Sequence, residues 1–388
     1  MIPLPLLLLA FAAQATAPDQ EAIPIYACIG VPPEESTPAR YRELAEAGFT
    51  TSLTGFPNLA ETLKALDAAK GSGVTLFIMC PELKRDPAST VRAVAGHPSL
   101  AGYHLVDEPA AAAFAGLAAW QKAIQALDAA HPCYVNLLPI HANAEQLGAK
   151  SYKEYVDQFV RTVQPPLLSF DNYPTSFGKL EPNVYTNLEI ISAAARGAKI
   201  PFWGFYQAVT WGAMPPRTLA HLRLESYSNL VYGAQCLQAF TYWTPNWPAH
   251  RDAPIGLNGK RSAVYDLVKQ LHGEVRAWSR VFKGAEIAEV AHAGKALPPG
   301  TRPFAGRGGV ARLDAGDAGA VVSFLKKGGK DYVVILNKDL LEKRTLILGF
   351  DDPRKVLEVR KDGADRPVSG SEFTVDPGDL LVFRLAPR

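Results

Sequence analysis

Between residues 24 and 245 the chain alternates two hydrophobic textures. Short apolar runs rich in β-formers alternate with stretches whose apolar positions recur at helical spacing. The apolar runs are IPIYACIGV (23–31), TSLTGF (51–56), VTLFIMC (74–80), LAGYHLVDE (100–108), CYVNLLP (133–139), LLSFDNYP (167–174), PFWGFYQAV (201–209) and CLQAFTYWT (236–244). They predict eight strands. Among the stretches between them, TPARYRELAEAGF opens on Thr37 as a cap, with Pro38 in the first turn. NLAETLKALDAAKGSG closes on glycines. FAGLAAWQKAIQALDAAHP, YKEYVDQFVRTVQPP, NVYTNLEIISAAARGAK and PRTLAHLRLESYSNLVYGAQ come next, and a last helix is predicted over roughly 262–282. Eight strand–helix repeats over about 260 residues predict an α/β fold, the (β/α)8 TIM barrel. A doubly wound sheet usually carries a glycine-rich first turn, and IGVPPEES contains no G-x-G-x-x-G.

After about residue 284 the texture changes. A loop, HAGKALPPGTRPFAGRGG, leads into VARLDA, AVVSFLKK, DYVVILNK, RTLILGF, KVLEVRK, EFTVD and LLVFRLA. Turn residues such as Gly328-Gly329, Asp351-Asp352 and Asp362-Gly363 separate these runs. They predict a small C-terminal antiparallel β-sandwich over 284–388, behind a barrel over 22–283. The first residues, MIPLPLLLLAFAAQATAPDQ, carry an apolar core and an A-x-A site at Ala15–Ala17. That pattern predicts a signal peptide over 1–17, cut after Ala17, and hence a secreted or periplasmic protein. The run is too short to span a bilayer.

Composition narrows the function classes. The net charge is +2 and no Lys/Arg-rich run occurs, so there is no electrostatic footprint for nucleic acid. Cys28, Cys80, Cys133 and Cys236 each sit in or at the start of an apolar run and read as small buried hydrophobes. Neither C-x-x-C nor H-E-x-x-H occurs, and the pattern calls for no metal and no cofactor.

In a barrel the chemistry belongs at the C-terminal strand ends. Those ends carry Tyr26; Asp107 and Glu108; Asn136; Asp171 and Tyr173; Trp203, Tyr206 and Gln207; and Tyr242 and Trp243. Four of the six tryptophans fall in strands 7 and 8 or the loops after them. Aromatic faces stack on the C–H faces of sugar rings while amides and carboxylates take hydroxyls, so a neutral oligo- or polysaccharide is the expected ligand. Glycosidic cleavage needs a carboxylic acid for the leaving oxygen and a second group at the anomeric carbon. Glu108 fits the acid.

HPSLAGYHLVDEPA (97–110) resembles the strand-4 segment of barrel glycoside hydrolases related to the large retaining-glycosidase clan. There Asn-Glu-Pro or Asp-Glu-Pro places the acid/base, a position that Glu108 matches. The resemblance covers roughly 22–283, and VDPGDLLVFRL is similar to the closing strands of β-domains appended to such enzymes. The clan's nucleophilic glutamate lies on strand 7, where this chain has FWGFYQAVTWG, with Gln207 in the place of the acid. Three readings remain open. Asp171, in SFDNYP, is the second carboxylate. Or Asp107-Glu108 resembles the pair of hexosaminidase-like enzymes, with Asp107 orienting a 2-acetamido group that attacks. Or the barrel is inactive and only binds sugar. Strand alternation turns Asp107 away from the mouth if Glu108 faces it, which favours Asp171.

Overall fold

The computed structural model describes residues 21–175, 179–181, 183–307 and 309–385. The leader expected over 1–17 lies outside the described residues.

Among the described residues, eight parallel strands close into a barrel: β1 (Ile25–Cys28), β2 (Thr51–Gly55), β3 (Thr75–Met79), β4 (Leu100–Asp107), β5 (Cys133–Leu137), β6 (Leu168–Phe170), β7 (Phe202–Gln207) and β8 (Cys236–Phe240). Each lies inside one of the eight apolar runs. The helices form because their caps and spacing ask for them. Thr37 accepts the Arg40 N–H at the start of Pro38–Glu46, and Asn58 accepts the Glu61 N–H at the start of Leu59–Ala69. The helix Tyr152–Val163 buries Tyr155, Val156, Phe159 and Val163, one face at helical spacing. Between β3 and β4 two short helices, Pro81–Arg85 and Pro87–Val94, each open on a proline. Hydrophobic periodicity does not reveal them, because neither is long enough to show a period.

Inward-facing side chains fill the barrel in layers. The lower layer is aromatic: the rings of Tyr26 and Tyr134 lie 5.5 Å apart, and Trp203 lies 5.8 Å from both Phe77 and Tyr134. Above it runs a chain of polar groups. The Tyr134 hydroxyl donates to Gln238 Oε1 (2.8 Å), Gln238 Nε2 donates to Ser169 Oγ (2.8 Å), and Ser169 Oγ donates to Asn136 Oδ1 (2.9 Å). Satisfied in this way, the buried hydroxyls and amides cost little, and they hold Asn136 upright beneath the barrel mouth.

The helix Leu219–Val231 precedes β8 and is buried around its whole circumference. One side faces the barrel and the other a six-stranded antiparallel sheet of the C-terminal region. That sheet runs in the order β9 (Glu286–Ala293), β11 (Ala320–Lys327), β12 (Lys330–Asn337), β17 (Leu380–Leu385), β14 (Val356–Val359), β15 (Asp365–Pro367). Its outer face packs on a three-stranded sheet, β10 (Val310–Asp314), β13 (Arg344–Phe350) and β16 (Glu372–Val375). Val321, Leu325, Val334 and Val382 join the barrel's core, whereas Val322, Phe324, Val333 and Phe383 form the sandwich core. Both faces are covered, which is why AVVSFL and YVVIL read as continuous apolar runs. β9 is absent from the strands expected of this region, because Glu286 and Glu289 interrupt its run before the loop signal begins.

Candidate active site

The end of β4 is built by two departures from regular geometry. The pairing with β5 slips between His104 and Val106, a bulge that inserts one residue and reverses the facing of the positions beyond it. Asp107 therefore pairs with Asn136 and turns inward, accepting a hydrogen bond from Asn136 Nδ2 at 3.1 Å. Glu108 then takes a left-handed conformation, φ 47°, which is unusual for a residue with a side chain and more so before a proline. Its N–H still bonds Asn136 O (2.9 Å), and the Tyr155 hydroxyl pins Pro109 O (2.7 Å). This corrects the expectation from strand alternation: both acids reach the mouth.

Asp171 follows β6 directly and meets them there. Asn136 Nδ2 donates to its Oδ1 at 3.3 Å, so one amide steadies two carboxylates. The Glu108 and Asp171 carboxyls stand in contact at the mouth, and Tyr173 lies beside Asp171. Two carboxyl groups so placed disfavour each other's ionisation. Burial is the largest cause that raises Asp171 well above the ordinary carboxylate range, and the neighbouring charges of Glu108 and Asp107 raise it further. Glu108 is raised by lost hydration and then by Asp107. Asp107 is raised by lost hydration, which the Asn136 N–H partly offsets. Asp107 and Glu108 are open to solvent on one side, while protein surrounds their carboxyl ends on the others. The half-buried Cys28 thiol at the end of β1 is pushed up by burial and by Asp107 and Asp171, so it stays protonated. Among the described residues no group of three or more His, Cys, Asp or Glu side chains has the geometry of a metal site.

β7 ends differently. Gln207 is fully buried and donates from Nε2 to Val209 O (2.7 Å) and towards Met214 Sδ (3.1 Å). Its backbone N–H bonds Glu225 Oε2 at 2.6 Å. Glu225, the acid nearest this strand end, pairs with Arg217 at 2.7 Å with both side chains fully buried, and also accepts the Thr175 hydroxyl. It is a structural ion pair. Arg223, on the same helix as Glu225, pairs instead with Glu274.

Besides the buried Gln207, five expected ligand contacts lie away from the mouth. Tyr26 and Trp203, each the second residue of its strand, sit in the lower aromatic layer. Tyr206 faces the helices, its hydroxyl 2.7 Å from His272 Nε2. Tyr242 is buried against Phe49. Trp243 is also buried, with the Arg40 guanidinium 5.1 Å over its ring. Alternation decides the strand positions among these: on a barrel strand half the aromatics serve the wall. Asn136 and Tyr173 do border the acids. The rings that line the mouth beside Tyr173 are Phe240, Trp211 and Trp247. Trp211 and Trp247 are visible in the sequence as loop tryptophans; Phe240 can be found as the last inward position of β8.

No protein-family model matches the chain, and no curated protein matches it. Solved structures do. A catalytic mutant of a family 42 β-galactosidase from G. stearothermophilus aligns over 94% of this chain and 98% of its own, at 9% identity and TM-score 0.63. The fold is that of barrel glycoside hydrolases. β-Galactosidase from Bacillus circulans sp. alkalophilus aligns over 94% of this chain and 99% of its own, at 10% identity and TM-score 0.61. A family 39 glycoside hydrolase from the gut symbiont Bacteroides cellulosilyticus WH2 aligns over 96% and 82%, at 12% identity and TM-score 0.56. At such identities the likeness is one of fold.

Proposed function

We propose that the protein is a glycoside hydrolase in which Glu108 is the proton donor and Asp171 the second carboxylate. The observation that carries this reading is the gathering of Asp107, Glu108 and Asp171 around Asn136 at the C-terminal mouth of the barrel. Carboxyls gathered in this way supply an acid and a base. The neighbours named above are glycosidases, which agrees with a sugar substrate. Contact between carboxyls is shorter than the ~5–5.5 Å of retaining or the ~6.5–9.5 Å of inverting carboxyl pairs. Substrate entry therefore has to part the two groups. Asn136 holds Asp107 and Asp171, so Glu108, beyond the strand end, is the one that moves.

A panel of aryl glycosides tests this. Wild type is expected to release aglycone, and Glu108→Gln to lose that activity. If both release it equally slowly while both bind glycan, the protein is a sugar-binding barrel and the enzyme reading fails.

A second reading is favoured by the inward turn of Asp107. Beside Glu108 it could orient a substrate 2-acetamido group, with that group as nucleophile. Cleavage of an N-acetyl aryl glycoside but not of its 2-hydroxy counterpart would select it. We also propose export, on the strength of the N-terminal pattern. A secreted chain whose mass begins after Ala17 would support it, and an uncut chain retained in the cytoplasm would refute it.

A further inference from the structure

The loops after β7 and β8 are stapled to each other above the acids. Thr210–Trp211 pairs antiparallel with His250–Arg251, and Gly212 N donates to Ala249 O at 3.2 Å. The Arg251 guanidinium donates to Gly212 O (2.8 Å) and Met214 O (3.1 Å). This ribbon carries a set of rings that begins at the acid pair. Tyr173, beside Asp171, lies 5.1 Å from Phe240 at 32°. Phe240 lies 6.3 Å from Trp247 at 30°. The three rings thus step outward with a similar tilt at each step. Trp211 stands edge-on to both Tyr173 (80°) and Phe240 (82°), and His250 stands edge-on to Trp247 (86°). Each ring of the series is braced by a near-perpendicular neighbour, so the series is held in place as a unit.

Trp247 ends the series and is 50% exposed. A single exposed apolar residue needs no explanation. This one differs because it is the outermost member of a continuous braced surface whose inner end touches the catalytic candidates. Indole is a large, rigid face that loses little entropy on binding. Beside it Asn246 is exposed and offers an amide for hydroxyls. The nearby Arg251 is engaged by Asp252 and by loop carbonyls, so it is not held ready for an acidic sugar.

Resting on the glycosidase reading, we propose that Trp247, backed by Phe240 and His250, binds a second, neutral sugar ring. The substrate is then a chain of at least two sugar units that passes from the acid pair over Phe240 to Trp247.

The test is made on the full chain with Trp247→Ala and Trp247→Phe. Matched p-nitrophenyl mono- and disaccharide glycosides of glucose, galactose, mannose and N-acetylglucosamine serve as substrates. The ratio of kcat/KM for disaccharide over monosaccharide is expected to fall about tenfold in Trp247→Ala, carried by KM, and to recover largely in Trp247→Phe. An unchanged ratio overturns the proposal, whether both substrates slow equally or neither does. If wild type cleaves no glycoside, the glycosidase reading has failed, and the surface is judged by fluorescence titration with the unlabelled oligosaccharides. Binding by wild type that weakens about tenfold in Trp247→Ala upholds the surface as a sugar site, and equal or absent binding in both overturns it.

Discussion

β4 and β7 end at the same rim of the same barrel and do opposite things with acid. At β4, a bulge and a left-handed residue bring Asp107 and Glu108 inward, where they meet Asp171 and, among the described residues, form no ion pair. At β7 the nearest acid, Glu225, is sealed under the rim against Arg217, and the strand closes on a buried amide. A carboxyl that burial and a neighbouring acid raise, with no cation to offset them, holds its proton more tightly. A carboxyl paired with arginine is fixed and serves the wall. Two strand ends three places apart on one rim thus differ: one gathers carboxyls and the other locks one away.

This contrast can be broken at four points. The largest effect belongs to Glu108→Gln, for which kcat/KM is expected to fall about 10³-fold, within the usual reach of general acid–base catalysis, while the melting temperature holds. Next is Arg217→Met. It leaves Glu225 charged and unpaired in the interior, so the urea midpoint should drop by the equivalent of about 3–5 kcal/mol. A third is Gln207→Glu, which restores an acid to β7. Its carboxylate would face the Val209 carbonyl in place of a donor, so a loss of about 1–3 kcal/mol and no gain in activity are expected. A rise in turnover would mean that β7 retains a working position after all.

The smallest effect is in pH. Folding raises Asp171, so the folded chain binds that proton more tightly than the unfolded one. Its stabilising contribution is complete below the ordinary carboxylate range and is lost as pH rises through the raised value. Asp171→Asn should therefore melt higher than wild type at neutral pH, and the advantage should vanish near pH 4, about where an unperturbed carboxylate titrates. An advantage that instead grew on acidification would show Asp171 to be held ionised.

The barrel is legible because eight apolar runs separated by capped helices leave few alternatives, and Glu108 is legible because it closes the fourth of them. Asp107 is not. A bulge of ordinary residues, with neither Gly nor Pro to flag it, leaves no mark on the sequence, and a single inserted residue reverses every facing beyond it. The aromatics stand out as a class but sort poorly. Tyr206 and Gln207 are adjacent, so alternation cannot put both in the mouth, and the structure puts neither there. Phe240 escapes notice because it carries no polar atom. The chain Gln238–Ser169–Asn136 is invisible in the sequence because its members come from three strands.

The six-stranded sheet, covered on both faces, bears on how this protein can be inherited. A module moves between genes when the surface left behind tolerates water. Here a cut near residue 284 would run through a continuous apolar core and strip the outer side of Leu219–Val231, the helix that carries Glu225. A barrel cut there would turn that apolar face to water. Recombination in this lineage would have to carry both parts together, and loops at the mouth are where new specificity could be gained without loss of the whole.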